Sequence, residues 1–329
     1  MSRTSSLGKT AIYFIGAFIL IVLVGKALAS GKGGNSPIGN IGGTVALINA
    51  EGEITASDSG GNFFGGDMVV SSPQLCDDLY DIAEDDTIKA VVLRVNSPGG
   101  SAAGSDEIYH AIRAVQKAGK PVVVSMGDVA ASGGYYISAP ADYIFANGAT
   151  LTGSIGVIFQ LMNFEGLAKK VGVDDVTLHA GKYKDIGNPF RQMTPEEKQI
   201  LTALLTDVHD QFIKAVAEGR SKKMSEDEVR KIATGQIWTG HTAVAVGLVD
   251  EVGGLRAAEE KAKSLAHLSP ETEVTEYGGS GFWDTLFSSK ANLGATSLDN
   301  LLRSRAGDAL QRLSSSLMLS TTLRDLVVH

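Results

Sequence analysis

Two glycine-rich turns, each following an apolar and β-branched run, are where this sequence combines side chain and backbone in a way that could do chemistry. Asn96-Ser97-Pro98-Gly99-Gly100-Ser101 follows KAVVLRV, and Ala130-Ala131-Ser132-Gly133-Gly134-Tyr135 follows PVVVSM. A serine held between a strand and the start of a helix exposes its Oγ, and the amide of the next residue points into the same space. Ser132 is placed as such a serine, and Gly133 supplies such an amide. Acyl transfer needs a second donor for the oxyanion, and a Gly-Gly turn on a neighbouring strand brings a bare N–H close enough. Gly100 or Gly99 fits that place. Taken singly, each turn reads as no more than a tight connection.

The elements that must position these turns alternate between strand and helix. TVALINAEGEI reads as a strand, then a helix around 72–84, the strand KAVVLRV, a helix around 103–118 and the strand PVVVSM. Such alternation predicts βαβ units, an α/β fold and a mainly parallel sheet. Ligands of open α/β sheets sit at the carboxyl ends of the strands, where both turns fall. Ile108, Ile112 and Val115 make the stripe of a helix lying on that sheet. Thr194-Pro195-Glu196-Glu197 predicts a capped helix start, followed by Leu201, Leu204, Leu205, Val208, Phe212 and Val216 at helical spacing until Gly219. Ser225-Glu226-Asp227-Glu228 repeats the capping arrangement for a shorter helix ending before Gly235.

Composition narrows the function. The 329 residues are 43% hydrophobic and 20% charged, which suits a folded protein with a sizeable core. Lys and Arg number 29 against 37 Asp and Glu, a net charge of −8, so nucleic acid is not an expected partner. Cys76 is the only cysteine, and the six histidines show no ligand spacing, so neither a disulfide framework nor a metal site is expected. Nothing calls for a cofactor.

Residues 11–25, AIYFIGAFILIVLVG, form an uninterrupted apolar run between Lys9 and Lys26. The 16 residues between those lysines reach about 24 Å as a helix, against a hydrocarbon core of about 30 Å. Snorkelling of Lys26 lets Ala27 to Ala29 complete the span, so one N-terminal transmembrane helix is expected over 10–29 after a stub at 1–9. The rival reading is signal-peptide cleavage after Ala27-Leu28-Ala29. Residues 30–43, SGKGGNSPIGNIGG, have the composition of a flexible linker. A folded domain is expected over 44–278, and 279–329, with Leu spaced among Ser and Arg, reads as an amphipathic tail.

Four runs together make a specific likeness: Asn96 to Ser101, Ala130 to Tyr136, Leu151-Thr152-Gly153-Ser154-Ile155-Gly156-Val157, and Tyr183-Lys184-Asp185. In order, spacing and context the chain resembles the signal peptide peptidase A (SppA) family of Ser-Lys peptidases over roughly 44–265. The resemblance implies a ClpP/crotonase-like core of stacked ββα units. It implies Ser132 as nucleophile, Lys184 as general base, Ser154 as the hydroxyl that orients the lysine, and the amides of Gly100 and Gly133 as oxyanion hole. The family often has Ser after the lysine, where this chain has Asp185, a carboxylate that could hold the lysine charged. No histidine lies in the four runs, and a lysine can serve as base once desolvation lowers its pKa from about 10.4.

The implied function is a membrane-anchored serine endopeptidase with its catalytic domain outside the cytoplasm, degrading signal-peptide remnants or other small unfolded polypeptides. The lipid bilayer is then a partner, and because the family's serine and lysine can come from different subunits while this chain carries each of the two motifs once, the resemblance implies a homo-oligomer. The alternatives are a crotonase-like enzyme acting on acyl-coenzyme A and a non-catalytic membrane scaffold. Other residues read as structural first. Asp77, Asp78, Asp81, Glu84, Asp85 and Asp86 make a solvated acidic face, Phe63 and Phe64 sit in a glycine-rich loop, and His179 lies near Lys184 in sequence. Asp128 and Tyr135 flank the serine turn.

Overall fold

Side chains of successive residues on the central strands divide between two cores, as expected for a sheet covered on both faces. On β4 (Ile88–Ser97), Val91, Leu93 and Val95 join the larger cluster, and Ala90 and Val92 join the smaller. On β5 (Val122–Ala131), Val122, Val124 and Met126 oppose Val123 in the same way. The larger core packs against α1 (Ser72–Glu84) and α2 (Ala102–Lys117), where Leu79, Ile82, Ile108, Ile112 and Val115 are fully buried. The smaller is covered by α8 (Leu255–Leu265), whose Ala258 and Ala262, one turn apart, let the helix approach closely. Truncating a side chain such as Leu93 to Ala costs about 2–5 kcal/mol in this setting.

The computed structural model describes residues 43–57 and 69–278. The expected stub, membrane segment and linker up to residue 42, the aromatic pair Phe63 and Phe64, and the tail from 279 lie outside the described residues. Among the described residues no helix is long and apolar enough to cross a membrane.

The fold is α/β with a mostly parallel mixed sheet. With β1 (Thr44–Glu51), β6 (Tyr143–Ala146), β9 (Glu251–Val252) and β10 (Val274–Glu276), the strands run in the order β10-β1-β4-β5-β6-β9. All those pairings are parallel. The late part of β5 leaves β6 and pairs instead with β7 (Leu151–Gly153), which continues antiparallel into β8 (Ile237–Thr239).

The stretch TVALINAEGEI is not one strand. Gly52, with φ 97°, turns the chain after β1, so that β2 (Glu53–Thr55) leaves the main sheet and pairs with β3 (Val69–Ser71). The turn is held by the Gly52 amide donating to the Asn96 carbonyl at 3.0 Å.

The capped long helix is α5 (Pro195–Gly219). Its start carries the full capping box, Thr194 accepting from the Glu197 amide and Glu197 accepting from the Thr194 amide. Its apolar stripe does not reach the core along its whole length. Phe212, Ile213 and Val216 are buried, Leu201, Leu205 and Val208 are half-buried, and Leu204 is 59% exposed. The first half of α5 therefore overhangs the sheet rather than packing on it.

Candidate active site

Ser132 sits between β5 and the short helix α3 (Gly133–Ser138) with φ 54° and ψ −121°, a conformation that costs a non-glycine residue on the order of 1–3 kcal/mol. The neighbours hold it there. Its amide donates to the Gly153 carbonyl at 2.9 Å, and its carbonyl accepts from the Tyr135 and Tyr136 amides, each at 2.9 Å. Glycines make the close approach feasible: a Cβ on Gly134 would lie 2.5 Å from the Ser97 carbonyl oxygen. A Cβ on Gly99 would lie 2.6 Å from the Gly133 nitrogen.

Strand register brings the other expected residues to the same edge. Ser97 pairs with Ala130, so the turn carrying Gly99 and Gly100 lies beside the one carrying Ser132 and Gly133. β2 pins that first turn from outside, the Ile54 amide donating to Gly99 at 2.9 Å and the Ser101 amide donating to Ile54 at 2.8 Å. The Cβ direction of Gly133 ends 3.3 Å from the Gly100 nitrogen, so the two amides expected to bind an oxyanion are neighbours. Among the described residues neither amide has a bonded acceptor. Ala131 pairs with Gly153, which places Ser154, at φ 51°, next to Ser132.

These residues line one cavity of about 630 Å³. Gly100, Ser132, Gly133 and Ser154 form one wall, and Leu205, His209 and Phe212 from the overhanging helix α5 form the other. Tyr136 closes the base, its ring tilted against Phe212 at 4.9 Å between centroids and its hydroxyl donating to Asp106 at 2.7 Å. Burial and then the Asp106 carboxylate push the Tyr136 phenol far above its usual range, so it stays protonated as a wall. His209 was visible in the sequence only as one histidine among six; its Nε2 is buried without a partner among the described residues. Only its spacing of three before Phe212 on α5 could have signalled its place.

Lys184 is not brought to this cavity within the chain. It lies exposed in the turn 181–187 and is not among the lining residues. Its neighbour Asp185 does not approach as a free carboxylate. The Asp185 side chain is 11% exposed and accepts from Arg191 Nε at 2.8 Å, and Arg191 first, with His179 adding a smaller charge effect, holds it below the usual carboxylate range. His179 Nε2 stands 3.7 Å from Asp185 Oδ1. Of the remaining residues, Asp77, Asp81, Glu84 and Asp86 are exposed, as is Asp128. Tyr135 is buried with its hydroxyl donating to the Leu248 carbonyl at 2.8 Å. Among the described residues no group of three His, Cys, Asp or Glu side chains is placed to hold a metal ion.

A candidate protease of Methanocaldococcus jannaschii is 40% identical over 261 residues, a match covering 71% of this chain and 82% of that protein. The model of peptidase family S49 matches residues 114–269. The chain belongs to peptidase family S49. The Clp protease model also matches, over residues 68–149, which include β4, α2 and the Ser132 turn. Protease 4 of Haemophilus influenzae is 38% identical over 245 residues, covering 74% of this chain and 38% of the relative. The chloroplastic serine protease SPPA of Arabidopsis thaliana is 36% identical over 232 residues, covering 70% of this chain and 34% of that one. The chain thus spans most of its archaeal relative but little more than a third of the other two. As an S49 protein it is a serine peptidase of the Protease 4 and SppA type, and peptides are its class of substrate.

Proposed function

We propose that this chain is a membrane-anchored endopeptidase that degrades cleaved signal peptides and other small unfolded polypeptides through a Ser132/Lys184 dyad. The observation that carries it is the convergence of the strained Ser132, the adjacent Gly100 and Gly133 amides and the Ser154 hydroxyl on one cavity. In this reading the Ser132 oxygen attacks the scissile carbonyl as its proton passes to the neutral Lys184 amine. The two glycine amides receive the oxyanion. Collapse of the tetrahedral intermediate gives that proton to the leaving amine, and a water activated by the same lysine hydrolyses the acyl-enzyme.

Lys184 reaches the serine of a neighbouring copy in this reading, making the enzyme a homo-oligomer. Its exposure supports this, together with exposed apolar residues in the same stretch of chain: Ile158 is 88%, Val176 82% and Leu178 93% exposed. Exposed apolar groups of this size belong to surfaces that another molecule covers. Burying that surface also desolvates the lysine, which favours the neutral amine a base requires. The apolar run at 11–25 supplies the anchor, with the catalytic domain outside the cytoplasm, and the Clp protease match supports a core of stacked ββα units.

The test is hydrolysis of a fluorogenic signal-peptide-like substrate by the full chain in detergent, with Ser132→Ala and Lys184→Ala across pH. Loss of turnover in both variants, with wild-type activity rising through a lowered lysine pKa, supports the dyad. A Lys184→Ala chain that keeps wild-type turnover removes it.

A further inference from the structure

The turn carrying Lys184 is tied to the start of α5 on both sides of the lysine. Before it, Lys182 donates to Glu196 Oε2 at 2.6 Å and the Tyr183 hydroxyl donates to Glu196 Oε1. After it, Asp185 is held by Arg191 Nε at 2.8 Å, and the two terminal nitrogens of Arg191 donate to Glu197 at 2.9 and 2.5 Å. Glu197 is itself fixed, accepting from the amide of the cap residue Thr194 at 2.8 Å in the capping box that starts α5. Arg191, 33% exposed, spans two nearly buried carboxylates, Asp185 at 11% and Glu197 at 4%. A planar guanidinium reaches both at once in a way a lysine ammonium does not. The charged groups flanking Lys184 are therefore all engaged, and among the described residues its own amine has no partner.

A carboxylate next in sequence to a lysine base is a hazard, because an opposite charge within about 4–6 Å favours the ammonium that cannot act as base. Building on the reading of Lys184 as general base, we propose that Arg191 is a positioning residue that holds the Asp185 carboxylate away from the Lys184 amine. Besides Arg191, the titratable groups around Asp185 are His179 at 3.7 Å, Asp175 and, across the guanidinium, Glu197. None of the carboxylates among them can take over the neutralising role. His179, 3.7 Å away and beyond ordinary hydrogen-bond reach, adds only a smaller charge effect than Arg191 does. Without Arg191, Asp185 has Lys184 as the cation next to it in sequence.

The experiment measures the pH dependence of kcat/KM for the full chain in detergent, on the same fluorogenic peptide, for wild type, Arg191→Gln and Arg191→Gln/Asp185→Asn. Arg191→Gln is expected to move the rising limb alkaline by about one pH unit, an approximately tenfold loss at neutral pH. Adding Asp185→Asn is expected to return the limb to its wild-type position although both ion pairs are then gone. A merely structural tie gives the opposite result, a double variant as slow as the single one or slower. An unmoved limb in Arg191→Gln, or no return in the double variant, overturns the proposal. Lys184→Ala run alongside separates the two levels: if it stays active the dyad itself falls, and if it is inert while Arg191→Gln keeps the wild-type limb, only the positioning role falls. Thermal melting reports folding; should Arg191→Gln not fold, Arg191→Met, which keeps the apolar stem and removes the charge, carries the same expectation with the same rescue.

Discussion

Ser132 and Ser154 stand side by side at the ends of two paired parallel strands, and both hold a left-handed φ, 54° and 51°. The Gly153 carbonyl, immediately before Ser154, accepts the Ser132 amide at 2.9 Å. Two strained hydroxyl residues on one cavity edge mean that backbone stability has been given up where the chemistry is proposed to occur.

That strain can be measured. Ser132→Ala keeps the unfavourable φ and is expected to lower turnover by at least about 10³-fold. Ser132→Gly is equally inactive but relieves the strain. It should melt above Ser132→Ala by up to about 4 °C, because about 1 kcal/mol of strain corresponds to about 2–4 °C for a domain of this size. Equal melting temperatures would show that the elbow stores nothing.

Lys184 is exposed and away from the cavity lined by Ser132, so the dyad is expected to form between copies. Chains carrying Ser132→Ala and chains carrying Lys184→Ala, each inert alone, should regain activity when co-assembled. With random mixing and one heterologous contact per site, about a quarter of the wild-type turnover is expected. A mixture that remains inert while its subunits demonstrably exchange places the base within the same chain or elsewhere.

The close approach of Gly99 to Gly133 makes a further prediction. A methyl group at Gly99 lies 2.6 Å from the Gly133 nitrogen and 2.8 Å from the Ser132 Cβ, so Gly99→Ala must displace an oxyanion donor. Turnover is expected to fall about 10²–10³-fold, the cost of one such donor, with KM little changed. Gly119→Ala is the control: its φ of 82° is also left-handed, but nothing lies within 4 Å of the added carbon. It should cost stability of about 1 kcal/mol and leave turnover alone.

Arg191, then the Thr194 amide, holds the Glu197 carboxyl down from 4.5 to about 2, and Asp185 is lowered by Arg191 as well. A carboxyl depressed by folding adds stability that is present above its unfolded pKa and is lost as pH falls through the folded one. Arg191→Gln should therefore lower the melting temperature most at neutral pH, and the gap to wild type should close between pH 4.5 and about 2. A gap independent of pH over that range would mean the pairs contribute nothing through charge.

Much of the architecture was legible in the residues. Valine-rich runs such as KAVVLRV predict strands buried on two faces, and Thr194-Pro195-Glu196-Glu197 marks the start of α5 by side-chain chemistry alone. The turns with Ser132, Gly133 and Gly100 were legible because a glycine requirement is local: it follows from a positive φ or a missing Cβ. Other features depended on partners far along the chain. Gly52 breaks an apparently continuous strand because the Asn96 carbonyl waits for its amide, and Leu204 keeps helical spacing yet lies 59% exposed, because helical periodicity does not say which turns of a helix find a partner.

The sequence by itself determined which residues could act: one serine at a strand-to-helix turn, a second Gly-Gly turn, and a lysine within a recognisable run. Tertiary structure alone decided which of them meet. Strand register, a cooperative property of several segments, places Ser154 beside Ser132 and Gly100 beside Gly133, and the overhang of α5 brings His209 and Phe212 across from them. It also decided that Asp185 faces Arg191 and that Lys184 stands apart from the cavity, since ion-pair choice among neighbouring charges depends on distances that one-dimensional order does not encode.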